Sequence, residues 1–394
     1  MKKKYLIVGT LAFAQFLAQA QSKKDSTYQR VDRLEIEAVY NHYVQDGNNS
    51  AVTGGKGTEQ LTVYGPSIQI KKYKGRNTRS FQLGVDVISS ASTDNIDFVK
   101  SSASIIDQRV YSNFTLEHYM PQKDLTLITG LGLSGESDYF SLSAKVGISK
   151  EDEEKGRSYS ILLQAYRDDL RWIQSLQPVK LIYPVELRYK EWYNTYLRKS
   201  YNLKLGFSQI INKRNIAGIY PELTYQEGLL ATPFHRVYFT DGSVQVEQFP
   251  DQRWKGSLAI KLNSFIGGRV ILKNSVNPYT DSFGILAISL EHETAVKLNP
   301  EFTLLSNVRW YKQRASMYFK PYEEHLPGET YFTSDYDLSD FNTYQLGVGA
   351  KYNPLGKPEK KWSSRAIVFR YYFLSRSNGL QAHQFSMAFL MERN

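Results

Sequence analysis

Phe140-Ser141-Leu142-Ser143-Ala144-Lys145-Val146-Gly147-Ile148-Ser149 is the stretch that decides the fold. Phe140, Leu142, Ala144, Val146 and Ile148 alternate with Ser141, Ser143, Lys145, Gly147 and Ser149. Successive side chains of a strand point to opposite faces, so this segment has one apolar wall and one polar wall. The same period recurs along the chain. Tyr201, Leu203, Leu205 and Phe207 alternate with Asn202, Lys204, Gly206 and Ser208. Leu258, Ile260 and Leu262 alternate with Ser257, Ala259, Lys261 and Asn263, and Tyr344, Leu346, Val348, Ala350 and Tyr352 with Thr343, Gln345, Gly347, Gly349 and Lys351.

A water-soluble sandwich produces the same alternation with its apolar wall turned inward. Three features favour lipid outside instead. The segments commonly run past the five or six residues of an average soluble strand, toward the about nine to eleven of a tilted membrane strand. Aromatics such as Tyr344 and Tyr352 sit at segment ends. The polar wall is rich in glycine and serine, as a lumen lining is. Composition agrees: 14% aromatic residues, with 29 tyrosines against 20 phenylalanines and 5 tryptophans, suit interfacial girdles.

The connections carry a second pattern. Lys74-Gly75-Arg76-Asn77, Pro121-Gln122-Lys123-Asp124, Asn212-Lys213-Arg214-Asn215 and Leu298-Asn299-Pro300-Glu301 read as tight turns. Between them fall long connections: Ser89 to Arg109, Asp168 to Trp192, Gln226 to Gln252 and Arg314 to Asp340. Short turns on one side and long loops on the other, with about sixteen strand candidates, define the expected fold. It is all-β, a transmembrane antiparallel up-and-down barrel with long extracellular loops and short periplasmic turns. Phe385, Met387, Phe389 and Met391 still alternate near the end, so a last strand is expected before a short polar tail.

The N-terminus reads as an export signal. Lys2, Lys3 and Lys4 precede the mostly apolar Tyr5–Phe16, and Ala18-Gln19-Ala20 offers small residues to a signal peptidase. The apolar run falls short of the about 20 residues a spanning helix needs. The expected organisation is a signal peptide over 1–20, a periplasmic lead over 21–32 and one barrel domain over 33–394, in the outer membrane of a Gram-negative bacterium. The 394 residues include no cysteine, which excludes thiol catalysis, thiolate metal sites and lipoprotein acylation. The formal charge of +10 comes without a basic run interleaved with aromatics, so no nucleic-acid partner is expected. The expected partners are outer-membrane lipid and, during biogenesis, the barrel assembly machinery.

Assigning the polar wall to the lumen yields a charge map. Glu35, Glu37, Asp86, Glu117, Glu222, Glu291 and Glu293 supply one sign; Lys145, Lys204, Lys261, Arg309, Lys351 and Arg370 supply the other. Such a set either selects polar solutes or cross-links the wall and holds inserted loops. Oxygen-rich loops around Asp94 and Asp97, and around Asp335 and Asp337, are the weak calcium candidates. Neither has the spacing of an EF-hand, so no metal or cofactor is expected. A barrel hydrolase is the enzymatic alternative, with His235 near Asp241 and Glu247, but no nucleophile–base–acid set is legible. Tyr166-Arg167-Asp168-Asp169 matches a polymerase metal signature by letters alone. The glycines of Val52–Glu59 lack the strand-then-helix setting of a phosphate loop and are expected in a flexible or inward-folded first loop.

Gly54-Gly55-Lys56-Gly57-Thr58-Glu59-Gln60, the Asp86–Asp97 stretch, Thr232–Phe239, Tyr318–Tyr322 and Thr333–Leu338 resemble, in order, the bacterial family catalogued as domain of unknown function thirty-five-seventy. The resemblance spans most of the mature chain and is similar to a Bacteroidota member in its signal style and tyrosine content. It implies an exported outer-membrane-type barrel and brings no activity, substrate or catalytic residue. Relatives encoded beside thioredoxin-like and flavin-attaching proteins imply a redox-linked envelope system, in which a chain without cysteine is at most the barrel partner. The working expectation is a porin-like transport barrel for a polar solute. A non-conducting scaffold that docks an envelope partner is the alternative.

Overall fold

In the computed structural model, described for residues 32–90, 106–136, 140–170, 197–232, 235–354 and 362–393, sixteen antiparallel strands close into one barrel. The expected signal peptide, nearly all of the lead, and Asp94 and Asp97 lie outside the described residues. In chain order the first nine strands are β1 (Arg33–Asp46), β2 (Leu61–Lys74), β3 (Asn77–Ser90), β4 (Ile106–Met120), β5 (Leu125–Gly135), β6 (Phe140–Asp152), β7 (Arg157–Asp169), β8 (Leu197–Asn212) and β9 (Asn215–Gly228). A hairpin, β10 (Arg236–Tyr238) and β11 (Val244–Val246), stands apart from the wall. The barrel resumes with β12 (Gln252–Ile266), β13 (Val270–Asp281), β14 (Leu286–Lys297), β15 (Phe302–Gln313), β16 (Phe341–Tyr352), β17 (Trp362–Arg376) and β18 (Gln381–Arg393). Wall strands run from 11 to 16 residues. The terminal strand closes the ring: β18 pairs with β1 from Leu34↔Arg393 to Asp46↔Gln381, which leaves no free edge.

Ion-pair geometry identifies the inner face. Arg370 on β17 reaches Glu293 on β14 at 3.8 Å although β15 and β16 lie between them. Three strand spacings of about 4.8 Å each are too wide for two side chains on a flat or convex surface; they converge only on the concave side. Propagating that phase through the cross-strand registers puts the polar wall inside. Ser141 and Ser143 are nearly buried there, whereas Leu142, Ile260 and Leu346 on the other face are 46%, 43% and 57% exposed. Among the described residues no second layer covers that apolar face, so it is an outside turned toward whatever apolar medium surrounds the molecule. Among the described residues no helix is long and apolar enough to cross a membrane.

Aromatics gather near strand ends on the outer face. Tyr225 contacts Trp254 at 4.5 Å and Tyr201 at 6.3 Å toward the long-loop end, and Phe302 contacts Tyr352 at 4.8 Å toward the short-turn end. His292 lies within β14 on the outer face, with its ring nitrogens satisfied by Asn274 at 2.7 Å and Thr294 at 2.8 Å. The long-loop side is also less uniform than the turn pattern predicts. Residues 282–285 and 377–380 are tight there, each turning on a glycine of positive φ, Gly284 and Gly379.

Candidate functional site

A sixteen-stranded barrel is wide enough to leave an aqueous interior unless loops fill it, so the site has two parts: wall and mouth. All thirteen charged residues assigned to the polar wall from the sequence sit on the inner face by register. Glu35 opposes Lys71, Glu37 opposes Gln69, and Asp86 opposes Arg109. Glu117 opposes Thr78, and Lys145 runs along Gly130. Lys204 opposes Glu222, and Lys261 opposes Gly218 beside the Tyr220 ring. Glu291 opposes Arg309, Glu293 opposes Lys273, and Lys351 and Arg370 share the phase of Gly349.

Ion pairs occupy many of the acids. Glu35 meets Arg33 at 2.7 Å, Asp86 meets Arg109 at 3.8 Å, Glu222 meets Lys204 at 3.5 Å, and Glu293 meets Lys273 at 2.6 Å as well as Arg370. Glu291 accepts a hydrogen bond from Asn307 at 2.9 Å. Sequence reasoning missed inner pairs near the strand ends, Arg365 with Glu392 toward the short turns and two more toward the long loops. Asp168 joins Ser141 at 2.7 Å and Arg198 at 2.8 Å, and Arg253 pairs with Asp281. Counting in twos from Lys204 and Lys261 reaches Arg198, Arg253 and Lys255, so the signal was present but the strands had been drawn too short. The polymerase-like run therefore reduces to Asp168 in a wall ion pair.

What remains is mainly cationic: among the described residues Glu37, Glu117 and Glu291 are the inner-wall acids assigned from the sequence that have no base within ion-pair distance. Among the described residues, Lys145, Lys255, Lys261, Lys297, Arg309 and Lys351 have no acid within ion-pair distance. Toward the short-turn end the inner wall encloses a cavity of about 690 Å³, lined by inward-phase residues and by Pro300 of the 298–301 turn. Its charged lining is Lys273, Lys297, Lys351 and Arg370 against Glu37 and Glu293.

Among the described residues, three loops, 47–60, 229–251 and 314–340, build the mouth on the long-loop side. The β10–β11 hairpin pairs Arg236↔Val246 to Tyr238↔Val244, and single bridges join Phe239 to His325 and Gln248 to Phe332. Val237, Phe239 and Phe332 are buried together, with His325 at their edge. This is a small hydrophobic core separate from the barrel wall. The first loop docks on it through glycines. Gly55 has φ +87°, and a Cβ there would fall 2.5 Å from the Ser334 carbonyl oxygen and 2.8 Å from the Tyr336 ring. The Val52–Glu59 stretch is thus folded against the other loops.

Inward-facing side chains hold this cap. Gln313 Nε2 donates to the carbonyls of Asp337 and Ser339, both at 2.9 Å. Arg376 pairs with Asp337 at 2.7 Å, and Gln45 Nε2 donates to Glu59 at 3.1 Å. Of the calcium candidates, Asp335 accepts from the Asp337 backbone N–H at 2.9 Å and Asp337 holds Arg376, while Asp94 and Asp97 lie outside the described residues. No group of three or more His, Asp or Glu among the described residues has metal-binding geometry.

His235 lies within the cap, but not with Asp241, which instead accepts the Ser243 backbone N–H at 2.9 Å and the Ser243 hydroxyl at 2.6 Å in its own turn. Nδ1 of His235 faces Glu247 at 3.4 Å and Asp335 at 3.6 Å. Glu247 is 2% exposed and also accepts from the Thr232 backbone N–H at 2.6 Å and Thr333 Oγ1 at 2.8 Å. Burial opposes the imidazolium, but the Glu247 carboxylate, with Asp335 and Asp337 behind it, outweighs burial and pushes the His235 pKa up to about 9. Burial first, then the neighbouring Asp337 and Glu247 carboxylates against the pull of His235, raise Asp335 to about 6. Burial and Asp337 raise Glu59 to about 7. His235 thus works as a clasp between two loops.

A closed antiparallel barrel with an apolar outside, a charged inside and a folded cap of long loops on one rim has the build of outer-membrane barrels. The chain belongs to the family described as Protein of unknown function (DUF3570), whose model matches residues 99–383. No curated protein matches the sequence. Among solved structures the chain is similar to a TodX deltaS2S3 mutant monoaromatic hydrocarbon channel at 9% identity and a TM-score of 0.45, with 92% of this chain and 90% of that one covered. It is also similar to a bacterial polysaccharide outer membrane secretin at 9% identity and a TM-score of 0.45, covering 92% and 99%. A BenF-like porin from Pseudomonas fluorescens Pf-5 follows at 8% identity and a TM-score of 0.43, covering 91% and 98%.

Proposed function

We propose that this protein is a channel of the outer membrane of a Gram-negative bacterium, admitting small polar solutes and favouring anions. The observation that carries the reading is the excess, among the described residues, of the unpaired lumen cations Lys145, Lys255, Lys261, Lys297, Arg309 and Lys351 over the unpaired acids Glu37, Glu117 and Glu291 on the inner wall of a barrel wide enough for water. Fixed charge of one sign on a low-dielectric wall concentrates counter-ions of the other sign. The ion-paired residues brace the wall, and the unpaired ones set its field. Outward apolar rows support the reading that lipid surrounds the barrel. Long loops then face out, which puts the about 690 Å³ cavity with Lys297 and Lys351 toward the periplasm.

The test is reconstitution in a planar bilayer under a potassium chloride gradient. The reversal potential is expected to show anion preference, reduced in Lys351→Glu and further reduced when Lys297→Glu is added. A barrel that conducts nothing, before or after excision of residues 316–338, overturns the channel. In that event a stoichiometric envelope protein recovered with the barrel would replace it by the docking scaffold.

A further inference from the structure

The outer face has a groove that the channel reading does not use. It holds about 640 Å³ and crosses β9, β12, β13, β14 and β15 near the long-loop rim. Register arranges its outward residues in two rows. Leu258 opposes Pro221, Ile288 opposes Pro278, and Lys312 opposes Ile288. One step toward the loops, Gly256 opposes both Leu223 and Thr280, Leu286 opposes Thr280, and the Arg314 backbone N–H donates to the Leu286 carbonyl at 2.8 Å.

Composition explains the depression. Gly256 contributes no side chain to the middle of its row, and Pro278 brings no N–H to the ladder. The β12–β13 pairing is interrupted between Ser257↔Tyr279 and Ile260↔Val276, beside that proline. The floor and walls are apolar. The charged end is at the rim: Lys312 is the penultimate residue of β15 and Arg314 follows its last. Both are exposed, and neither pairs with an acid among the described residues. Gly256 and Leu223, by contrast, lie several residues inside their strands. The groove therefore runs from a doubly cationic head at the strand ends down into the apolar belt, with the exposed Trp254 ring at the girdle beside it.

We propose that this groove binds one lipopolysaccharide molecule of the outer leaflet, its lipid A phosphate on Lys312 and Arg314 and an acyl chain over Gly256. The proposal rests on the outer-membrane location argued above, because only then does the long-loop rim meet that leaflet. Charge complementarity selects a phosphorylated head, since Arg314 and Lys312 are donors without an acceptor. The groove shape selects a chain, since a flat outer wall offers no more to one lipid tail than to another.

The experiment uses the full chain extracted from outer membranes in mild detergent, with native mass spectrometry of the lipid that stays bound. One lipid A per barrel is expected on the wild type. Gly256→Leu fills the floor without a clash, because a Cβ there meets only Thr280 Cγ2 at 3.8 Å and Leu223 Cδ2 at 3.9 Å. It is expected to reduce retention about tenfold, as is Lys312→Gln with Arg314→Gln, the loss of at least one charge-assisted hydrogen bond. A heat-modifiable gel shift checks that each variant barrel is folded, and titration of purified lipid A onto refolded wild type gives the same answer if a variant is not. Retention of phospholipid in place of lipid A, or equal retention in all variants, overturns the site while leaving the location intact. Recovery of the chain outside the outer-membrane fraction overturns the location and the site together.

Discussion

Thr333 Oγ1 donates to Glu247 Oε2 across 2.8 Å, although 86 residues separate them in sequence. The bond ties the 314–340 loop to the 229–251 loop, and Glu247 answers it while also facing His235 at 3.4 Å. The cap is therefore a folded unit with its own polar keystone, resting on inward-facing side chains of the barrel rather than hanging free.

Glu247→Ala leaves a buried cation and two donors without their acceptor. Breaking a buried pair from one side costs about 3–5 kcal/mol, here against docking of the cap rather than closure of the barrel. Amides of Phe239, Gln248 and Phe332 are expected to exchange much faster with solvent, while the temperature at which the barrel loses its heat-modifiable form stays unchanged. Unaltered exchange would mean that Glu247 is not the keystone.

Cap order is expected to depend on pH. His235 has a folded pKa near 9, above its ordinary 6.5, so its contribution is fully present below about 6.5 and is lost as pH rises through about 9. Asp335, raised from 3.8 to about 6, favours its protonated form in the fold, and its contribution is likewise lost as pH rises through about 6. Glu59, raised to about 7, acts in the same direction. All three loosen the cap between mildly acidic and alkaline solution. Loop flicker in bilayer recordings is expected to increase from pH 5.5 to pH 9.5, about these values, and to lose its alkaline step in His235→Gln. Traces that are alike at both ends would contradict the clasp.

Gly55→Ala places a methyl group against the Ser334 carbonyl in a backbone conformation that L side chains rarely adopt. A strain of about 1–3 kcal/mol is expected to release the first loop. Protease nicking between residues 47 and 60, slow in the wild type, is the readout.

Asp168→Ala removes the acceptor shared by Ser141 and Arg198 at a nearly closed inner site, where the Asp168 side chain is 5% exposed. Destabilisation of about 3–5 kcal/mol is expected in urea refolding from lipid vesicles. The β6–β7–β8 hairpins should be the region that opens first.

Leu131→Arg tests the orientation of the whole wall. Leu131 is 62% exposed on the outer face of β5, so an arginine there is expected to cost about 2–4 kcal/mol in a bilayer. Gln164→Arg, on the inner face of β7 opposite Lys145, should be tolerated and should increase anion preference. The opposite ranking would turn the barrel inside out.

The inner and outer faces, the strand number and the inward phase of the thirteen charged residues were legible because a strand's side-chain direction repeats every two residues, a property local to the chain. Phe140 to Ser149 states its two walls without help from any partner. Extending that phase by a few residues would also have found Arg198, Arg253 and Lys255. The cap was not legible. Asp241 looked like the natural companion of His235 because it is near in sequence, yet it closes its own turn while Asp335, a hundred residues on, comes within 3.6 Å.

Alternation and turn chemistry therefore determined, without coordinates, that the chain closes into a barrel with a charged interior. Only the tertiary structure decided that two loops share a core of Val237, Phe239 and Phe332 on which a third docks, and that Gly256 and Pro278 hollow a groove beneath Arg314. The physical reason is one of range. Backbone geometry imposes a period on each strand alone, whereas loop packing and grooves arise from contacts between distant segments, and no periodicity in the sequence records them.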